Sequence, residues 1–159
     1  MKVLVIADTH AQDDAFLEVL SREQPFDALL HAGDFEGSEF VYRALTDVPF
    51  YYVAGNNDFF TDAPCEQVIE LEGCRIFMTH GHMRDADFGY EEIVAEARRR
   101  HAKIAIFGHT HVPVAQMQGG VLLLNPGSLS WPRQENHRFS YMVLTLKNGR
   151  ASSWAIRYL

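Results

Sequence analysis

The segment KVLVIADTH, residues 2–10, is an apolar, β-branched run that stops abruptly at an acid, a hydroxyl and an imidazole. Residues 3–7 carry no alternation of polar and apolar positions, which is the pattern of a strand buried on both faces. Five further runs end in the same manner. Residues 28–30 run into Gly33-Asp34, and residues 50–54 into Gly55-Asn56-Asn57-Asp58. Residues 75–78 run into His80-Gly81-His82, residues 104–107 into Gly108-His109-Thr110-His111, and residues 121–124 into Asn125-Pro126-Gly127-Ser128.

The intervening segments have helical spacing. Asp13-Asp14 opens a helix with Phe16, Leu17 and Leu20 on one face. Phe40, Val41, Ala44 and Leu45 suit a second helix face, and Tyr90, Ile93, Val94 and Ala97 a third. That third helix ends in Arg98-Arg99-Arg100, read as a solvated last turn that complements the helix dipole. After residue 111 strands dominate, at 112–117, 121–124, 139–146 and 151–158. In the last, Trp154, Ile156 and Tyr158 alternate with smaller or polar residues. Alternating β and α followed by a β-rich final third predicts an α/β (α+β) architecture of two packed sheets with helices outside.

Composition bounds the rest. The 159 residues make one domain, residues 1–159, long enough to bury a core without disulfide or metal support. Hydrophobic and charged shares of 47% and 22% exclude disorder, collagen and coiled coil. The net charge of −7 argues against a protein that coats nucleic acid, and no extended basic surface is evident. Cys65 and Cys74 form no CxxC pair and no run approaches a membrane span, so a cytoplasmic location is expected.

In open α/β sheets ligands gather outside the carboxyl ends of strands, so these polar run-ends are expected on one rim. Asp, His and Asn are ligands for divalent metals. DxH and HxH place two such residues on the same side of an extended segment. Taken singly, each motif has a bland explanation: Asp8 as a helix cap, Asn56 as a turn residue, His80 as a hydrogen-bonded core histidine. Five of the eight histidines nevertheless fall in these clusters, which scattered histidines would rarely do.

The order DTH, GD, GNND, HGH, GHTH, NPGS resembles the calcineurin-like metallophosphoesterase superfamily. Within it the chain is most similar to the small single-domain YfcE-like phosphodiesterase branch. The resemblance implies a four-layer αββα sandwich, two mixed β-sheets flanked by helices, around a binuclear metal centre. Matched position by position, one metal would be held by Asp8, His10 and His111, the other by Asn56, His80 and His109. Asp34 would bridge them. Such sites often take manganese, with iron, zinc, nickel or cobalt as alternatives. The implied reaction is in-line attack on a small phosphodiester or nucleotide-like substrate by a hydroxide between the two ions.

Larger members of the family carry a histidine after the metal-binding asparagine, where this chain has Asn57. An amide is no general acid, which directs the expectation toward diesters with good leaving groups. His82 is then a candidate for proton transfer or phosphate contact, or for orienting His80. Arg133 is a candidate phosphate contact, and Arg84 is read as a surface arginine. His31 reads as a buried histidine outside the ligand set, and Asp58 as a residue that fixes the local turn. Tyr51, Tyr52, Phe59 and Phe60 read as core and pocket wall. Two alternatives stand beside the diesterase. One is a catalytically idle scaffold, as in the retromer subunit that resembles this branch. The other is a phosphomonoesterase or dinucleoside polyphosphate hydrolase. A homo-oligomer is left open.

Overall fold

A computed structural model describes residues 1–159 and shows two five-stranded sheets packed face to face. The elements run β1 (Lys2–Ile6), α1 (Asp13–Glu23), β2 (Ala28–His31), α2 (Glu39–Leu45), β3 (Phe50–Tyr52), β4 (Glu66–Leu71), β5 (Cys74–Thr79), α3 (Glu91–Arg99), β6 (Ile104–Ile106), β7 (Val114–Gln118), β8 (Val121–Asn125), β9 (Ser140–Lys147) and β10 (Arg150–Tyr158). A single 3-10 turn at His82–Arg84 lies between β5 and α3.

The first sheet has the order β10-β9-β1-β2-β3, and the second β4-β5-β6-β8-β7. In each, three consecutive members are parallel: β1, β2 and β3 in one, β5, β6 and β8 in the other. The outer partners are antiparallel, so both sheets are mixed.

Alternation along the strands explains the layering. Val3 and Val5 of β1 point between the sheets, where they join Leu30, Ile76, Ile106, Leu124 and Leu144 in the largest buried cluster. Leu4 and Ile6 point the other way, onto Phe16, Val19 and Leu20 of α1 and Tyr42 of α2. On the far side Phe77, Ala105 and Leu123 pack against Ile93, Val94 and Ala97 of α3. The result is the expected four-layer αββα sandwich, a fold whose central strands are apolar on both faces because both faces are covered.

Several local expectations need correction. The helix at Glu39–Leu45 forms, but the apolar face read from the sequence does not turn inward. Phe40 is 73% exposed, while Glu39 and Tyr42 are the buried residues. Tyr42 packs at 4.1 Å from the Phe16 ring, and one large aromatic there fixes the helix rotation that four smaller residues would oppose. Leu17 is likewise exposed. The strand Glu66–Leu71 was not anticipated, because its Glu66 and Glu70 mask the apolar side that pairs with β5. Phe59 and Phe60 are not core residues but stand exposed. Trp154 lies on the edge strand β10 and is 40% exposed.

Of the arginines that close α3, Arg98 and Arg99 are exposed as expected, but Arg100 is not simply solvated. Arg100 lies over the Phe77 ring and donates to Glu66 and Glu96, while Arg84 donates to Glu66 at 2.7 and 3.0 Å. The hydrogen bond from Arg99 leads the influences that hold the Glu96 carboxyl at about 2, below its ordinary 4.5, against the opposing effect of burial. A depressed carboxyl stabilises the fold above its unfolded value and loses that contribution as pH falls through the folded value. The stability gap between wild type and Glu96→Gln should therefore be full at neutral pH and close between pH 4.5 and about 2. Urea unfolding midpoints measured across that range check it, and a gap that persists at pH 2 would contradict it.

Candidate metal centre

The parallel strands of both sheets deliver their carboxyl ends to one rim. Asp8 and His10 follow β1, Asp34 follows β2, and Asn56 follows β3. From the other sheet His80 follows β5, and His109 and His111 follow β6. Main-chain bonds lock the loops: Asp8 N donates to Gly33 O, His10 N to Asp34 O, and Gly108 N to His80 O. The sheets are stitched across the site where His109 N donates to Asp8 Oδ2 at 3.0 Å.

The local backbone is contorted to aim these side chains. Asp8, His10, Asp34, His109 and His111 all have φ between 42° and 68°, a region that non-glycine residues visit at a cost of about 1–3 kcal/mol each. Such strain clusters where the surrounding structure over-determines a functional arrangement. Two glycines clear the space. A Cβ on Gly33, at φ 98°, would stand 2.5 Å from His80 Nδ1, and one on Gly108 would stand 2.8 Å from Asp8 Oδ2.

All seven residues singled out as ligands converge. Asp8, His10, Asp34 and His111 are buried, and each offers an atom within 4.8 Å of the others'. His111 Nε2 lies 3.2 Å from Asp8 Oδ1, and His10 Nε2 lies 3.6 Å from Asp34 Oδ2. A second group gathers on the other side of Asp34. Asn56 Oδ1 sits 3.1 Å from His80 Nε2 and 3.0 Å from His109 Nδ1, and His80 Nε2 is 3.5 Å from Asp34 Oδ2. Asp34 Oδ2 thus faces both groups.

The protons on the imidazoles can be assigned from their outer contacts. His80 Nδ1 donates to Ala32 O at 2.7 Å and His111 Nδ1 to Trp131 O at 2.8 Å. His10 Nδ1 meets Glu36 Oε1 at 2.6 Å, and His109 Nε2 meets Asp87 Oδ2 at 2.8 Å. Carbonyls and carboxylates only accept, so each outer nitrogen carries the proton. In that tautomer the inner nitrogens could present lone pairs to a cation, beside two carboxylates and an amide oxygen. Donor atoms of that kind converge only around positive charge, and this set fits divalent cations.

The electrostatics agree. Burial opposes charge on His80, but the hydrogen bond and charge of Asp34 and the charge of Asp8 raise it to about 9. Burial likewise opposes charge on His111, and Asp8 raises it. Burial also opposes ionisation of Asp34, yet His80 and the two Asn57 donors hold its carboxyl well below the usual range.

The remaining sequence candidates take distinct places. Asn57 donates to Asp34 twice, from its backbone N at 2.9 Å and its Nδ2 at 2.7 Å, so it clamps the carboxylate shared by both groups. His82 stands with its ring 5.3 Å from that of His80 and 6.1 Å from that of His109, and its buried Nδ1 has no partner. Arg133 is exposed, its backbone N donating to His111 O at 3.1 Å. Arg84 pairs with Glu66 and is not at the centre. His31 is fully buried between Thr9 Oγ1 and Gly33 N, and burial lowers it to about 3, so it is a neutral core residue. Asp58 accepts from the amides of Asp34, Phe35, Glu36 and Gly55 and ties the two loops together.

Further supporting contacts were not visible in the sequence. Ser128 and Ser130 each donate to Asp8 O at 2.8 Å, and Asn125 Nδ2 donates to Gly108 O at 2.9 Å. The Trp131 ring packs 4.3 Å from His10. The NPGS signature contains Asn125 and Ser128 but not Ser130, and it does not show their targets, which lie up to 122 positions away in sequence.

A family model for the calcineurin-like phosphoesterase superfamily domain matches residues 1–149. A probable metallophosphoesterase of Mycoplasma pneumoniae is 33% identical over 161 residues, covering 99% of this chain and 97% of its own. The phosphodiesterase YfcE of Escherichia coli is 42% identical over 74 residues, 46% of this chain and 36% of that one. Among solved structures, a predicted phosphoesterase from Streptococcus pneumoniae superposes with a TM-score of 0.83 at 31% identity, covering 99% of this chain and 88% of its own. Vps29 of Entamoeba histolytica, complexed with Zn2+, superposes with a TM-score of 0.79 at 25% identity, covering 100% and 98%.

Proposed function

The chain belongs to the calcineurin-like phosphoesterase superfamily, and from that premise we propose that it is a metal-dependent phosphodiesterase with a binuclear centre, manganese being the metal. The observation that carries this reading is Asp34 Oδ2, which lies 3.6 Å from His10 Nε2 on one side and 3.5 Å from His80 Nε2 on the other. One carboxylate between two such groups is the arrangement that spaces a pair of cations. Asp8, His10 and His111 would hold the first and Asn56, His80 and His109 the second. Bound there, two dications would supply a nucleophilic water of lowered pKa and neutralise phosphoryl charge in an in-line displacement.

The chain's own residues determine what the site can accept. Asn57 spends its side-chain amide on Asp34, so it positions that carboxylate and delivers no proton. His82 has a ring nitrogen to spare, and we assign it to proton transfer or phosphate contact. Arg133 completes the assignment as a phosphate contact. A cavity of about 390 Å3 opens beside Asn57, walled by Phe35, Phe59, Phe60, Glu36, Glu39 and Thr61. Its acidic and aromatic lining favours an uncharged second ester group over a further phosphate, which supports a diester over a monoester or a dinucleoside polyphosphate.

The test is hydrolysis of an activated aryl phosphodiester by metal-stripped protein as Mn2+ is returned. Activity should rise to a plateau near two equivalents. Comparing good and poor leaving groups in His82→Ala separates its roles, because loss of a proton donor hurts the poor leaving group more. A folded protein that neither retains metal nor turns over with any of manganese, iron, zinc, nickel or cobalt would overturn the reading. The likeness to Vps29 makes a protein-interaction scaffold the second reading, and that outcome would bring it forward.

A further inference from the structure

The four histidines of the centre do not share one kind of outer partner. His80 and His111 donate to main-chain carbonyls, of Ala32 and Trp131. His10 and His109 instead meet side-chain carboxylates, Glu36 at 2.6 Å and Asp87 at 2.8 Å. These two contacts fall on opposite halves of the centre: His10 stands with Asp8 and His111, and His109 with Asn56 and His80. Each half has one carbonyl-partnered and one carboxylate-partnered imidazole.

We propose that Glu36 and Asp87 are positioning residues, one for each half of the centre, and that they set the affinity of the two metal positions separately. The proposal rests on the binuclear reading above and deepens it. Both carboxylates project from anchored backbone. Glu36 sits at φ 51° with its N bonded to Asp58 Oδ1 at 2.7 Å, the same carboxylate that holds Asp34 N. Asp87 follows Ala86, which is buried in the α3 layer, and the turn is closed by the Phe88 N to Asp85 O bond at 2.8 Å. Neither carboxylate has another side-chain cation to serve: Glu36 and Asp87 each pair only with their histidine.

The chemistry follows from the contact. A carboxylate on the outer nitrogen selects the tautomer, fixes the ring plane and makes the inner nitrogen a stronger donor than a neutral carbonyl would. The tautomers chosen are opposite. Glu36 leaves Nε2 of His10 facing inward, whereas Asp87 leaves Nδ1 of His109 facing inward. Without Asp87, the His109 ring, whose side chain is 21% exposed, has no neighbour that requires this tautomer except the cation itself.

The experiment is a calorimetric titration of metal-stripped full chain with Mn2+, repeated with Co2+ to read its visible absorption. Wild type, Glu36→Gln, Asp87→Asn and the two alanine variants are compared, with far-UV circular dichroism confirming the fold. Glu36→Gln should weaken one of two binding events about 10–100-fold and leave the other, and Asp87→Asn should weaken the other one. The alanine variants should lose more, because Gln and Asn retain an acceptor oxygen. The Co2+ spectra of the two variants should change in different bands. Wild-type affinity at both positions in both variants, or loss of the same position in each, would overturn the assignment. A wild-type protein that takes up fewer than two equivalents would instead overturn the binuclear reading beneath it.

Discussion

Asp34→Asn should lower phosphodiester turnover about 10³-fold or more while the protein remains folded. The substitution keeps the shape of the side chain and removes one negative charge from between the two ligand groups. Asp34 Oδ2 is the atom that faces both, and no neighbour can replace it: Asp8 Oδ1 lies 3.2 Å from His111 Nε2 but 3.9 Å from His80 Nε2. Electrostatic stabilisation by a metal pair is worth several kcal/mol at the transition state, and about 4 kcal/mol corresponds to a factor of about 10³. The backbone of residue 34 is held independently, through its N to Asp58 and its O to Thr9 and His10, so the loop should survive the change. The measurement is kcat for an aryl diester with metal content determined on the same sample. His109→Ala is a companion, since its side chain lies partly at the surface and its removal empties only the second group. Wild-type turnover in a metal-replete Asp34→Asn protein would remove the bridging role and the proposed chemistry with it.

How much of this could be read in the sequence differs by level. The architecture was legible because β1, β2, β5, β6 and β8 are short apolar runs without alternation, each cut off by a polar cluster. An element covered on both faces has to be written that way. The residues that converge at the rim were legible because Asp, His and Asn are rare at strand ends, yet they follow five of the strands. What stayed hidden depends on contacts between distant segments. Glu36 reaches His10 across 26 positions, Asp87 reaches His109 across 22, and the Ser128 and Ser130 hydroxyls reach the Asp8 carbonyl across 120 and 122. A surface glutamate and a partner of a buried site histidine look alike until the loops are folded. The α2 face was misread for a related reason. Periodicity finds an apolar stripe, but Phe40, Val41 and Leu45 compete with Tyr42, whose ring stacks at 5.6 Å on His31 and packs on Phe16. The better-filled contact wins over the count of apolar positions.

Saturating Mn2+ should raise the melting temperature of the metal-stripped protein by about 10 °C for each position filled. A ligand that binds only the folded state stabilises it by about 4 kcal/mol at a thousandfold excess over Kd, and a chain of this length gains about 2–4 °C per kcal/mol. The donors here exist only in the fold, since they come from strand ends up to 103 positions apart, from Asp8 to His111. The site is also tied together without any cation, through main-chain bonds between its loops and the His109 N to Asp8 Oδ2 bond at 3.0 Å. The gain therefore comes from mass action on a formed site and not from rescue of an unfolded one, so the stripped protein should melt cooperatively on its own. In Asp34→Asn the increment should fall sharply, because both positions lose a shared ligand. In Glu36→Gln and Asp87→Asn each increment should shrink separately, by the few degrees that a 10–100-fold weaker Kd implies. Calorimetric melts of the four proteins at fixed free Mn2+ make this measurable without any substrate. An unchanged melting temperature in wild type across a thousandfold range of free metal would show that this cluster of carboxylates and imidazoles binds nothing tightly, and the metal-dependent reading would fall.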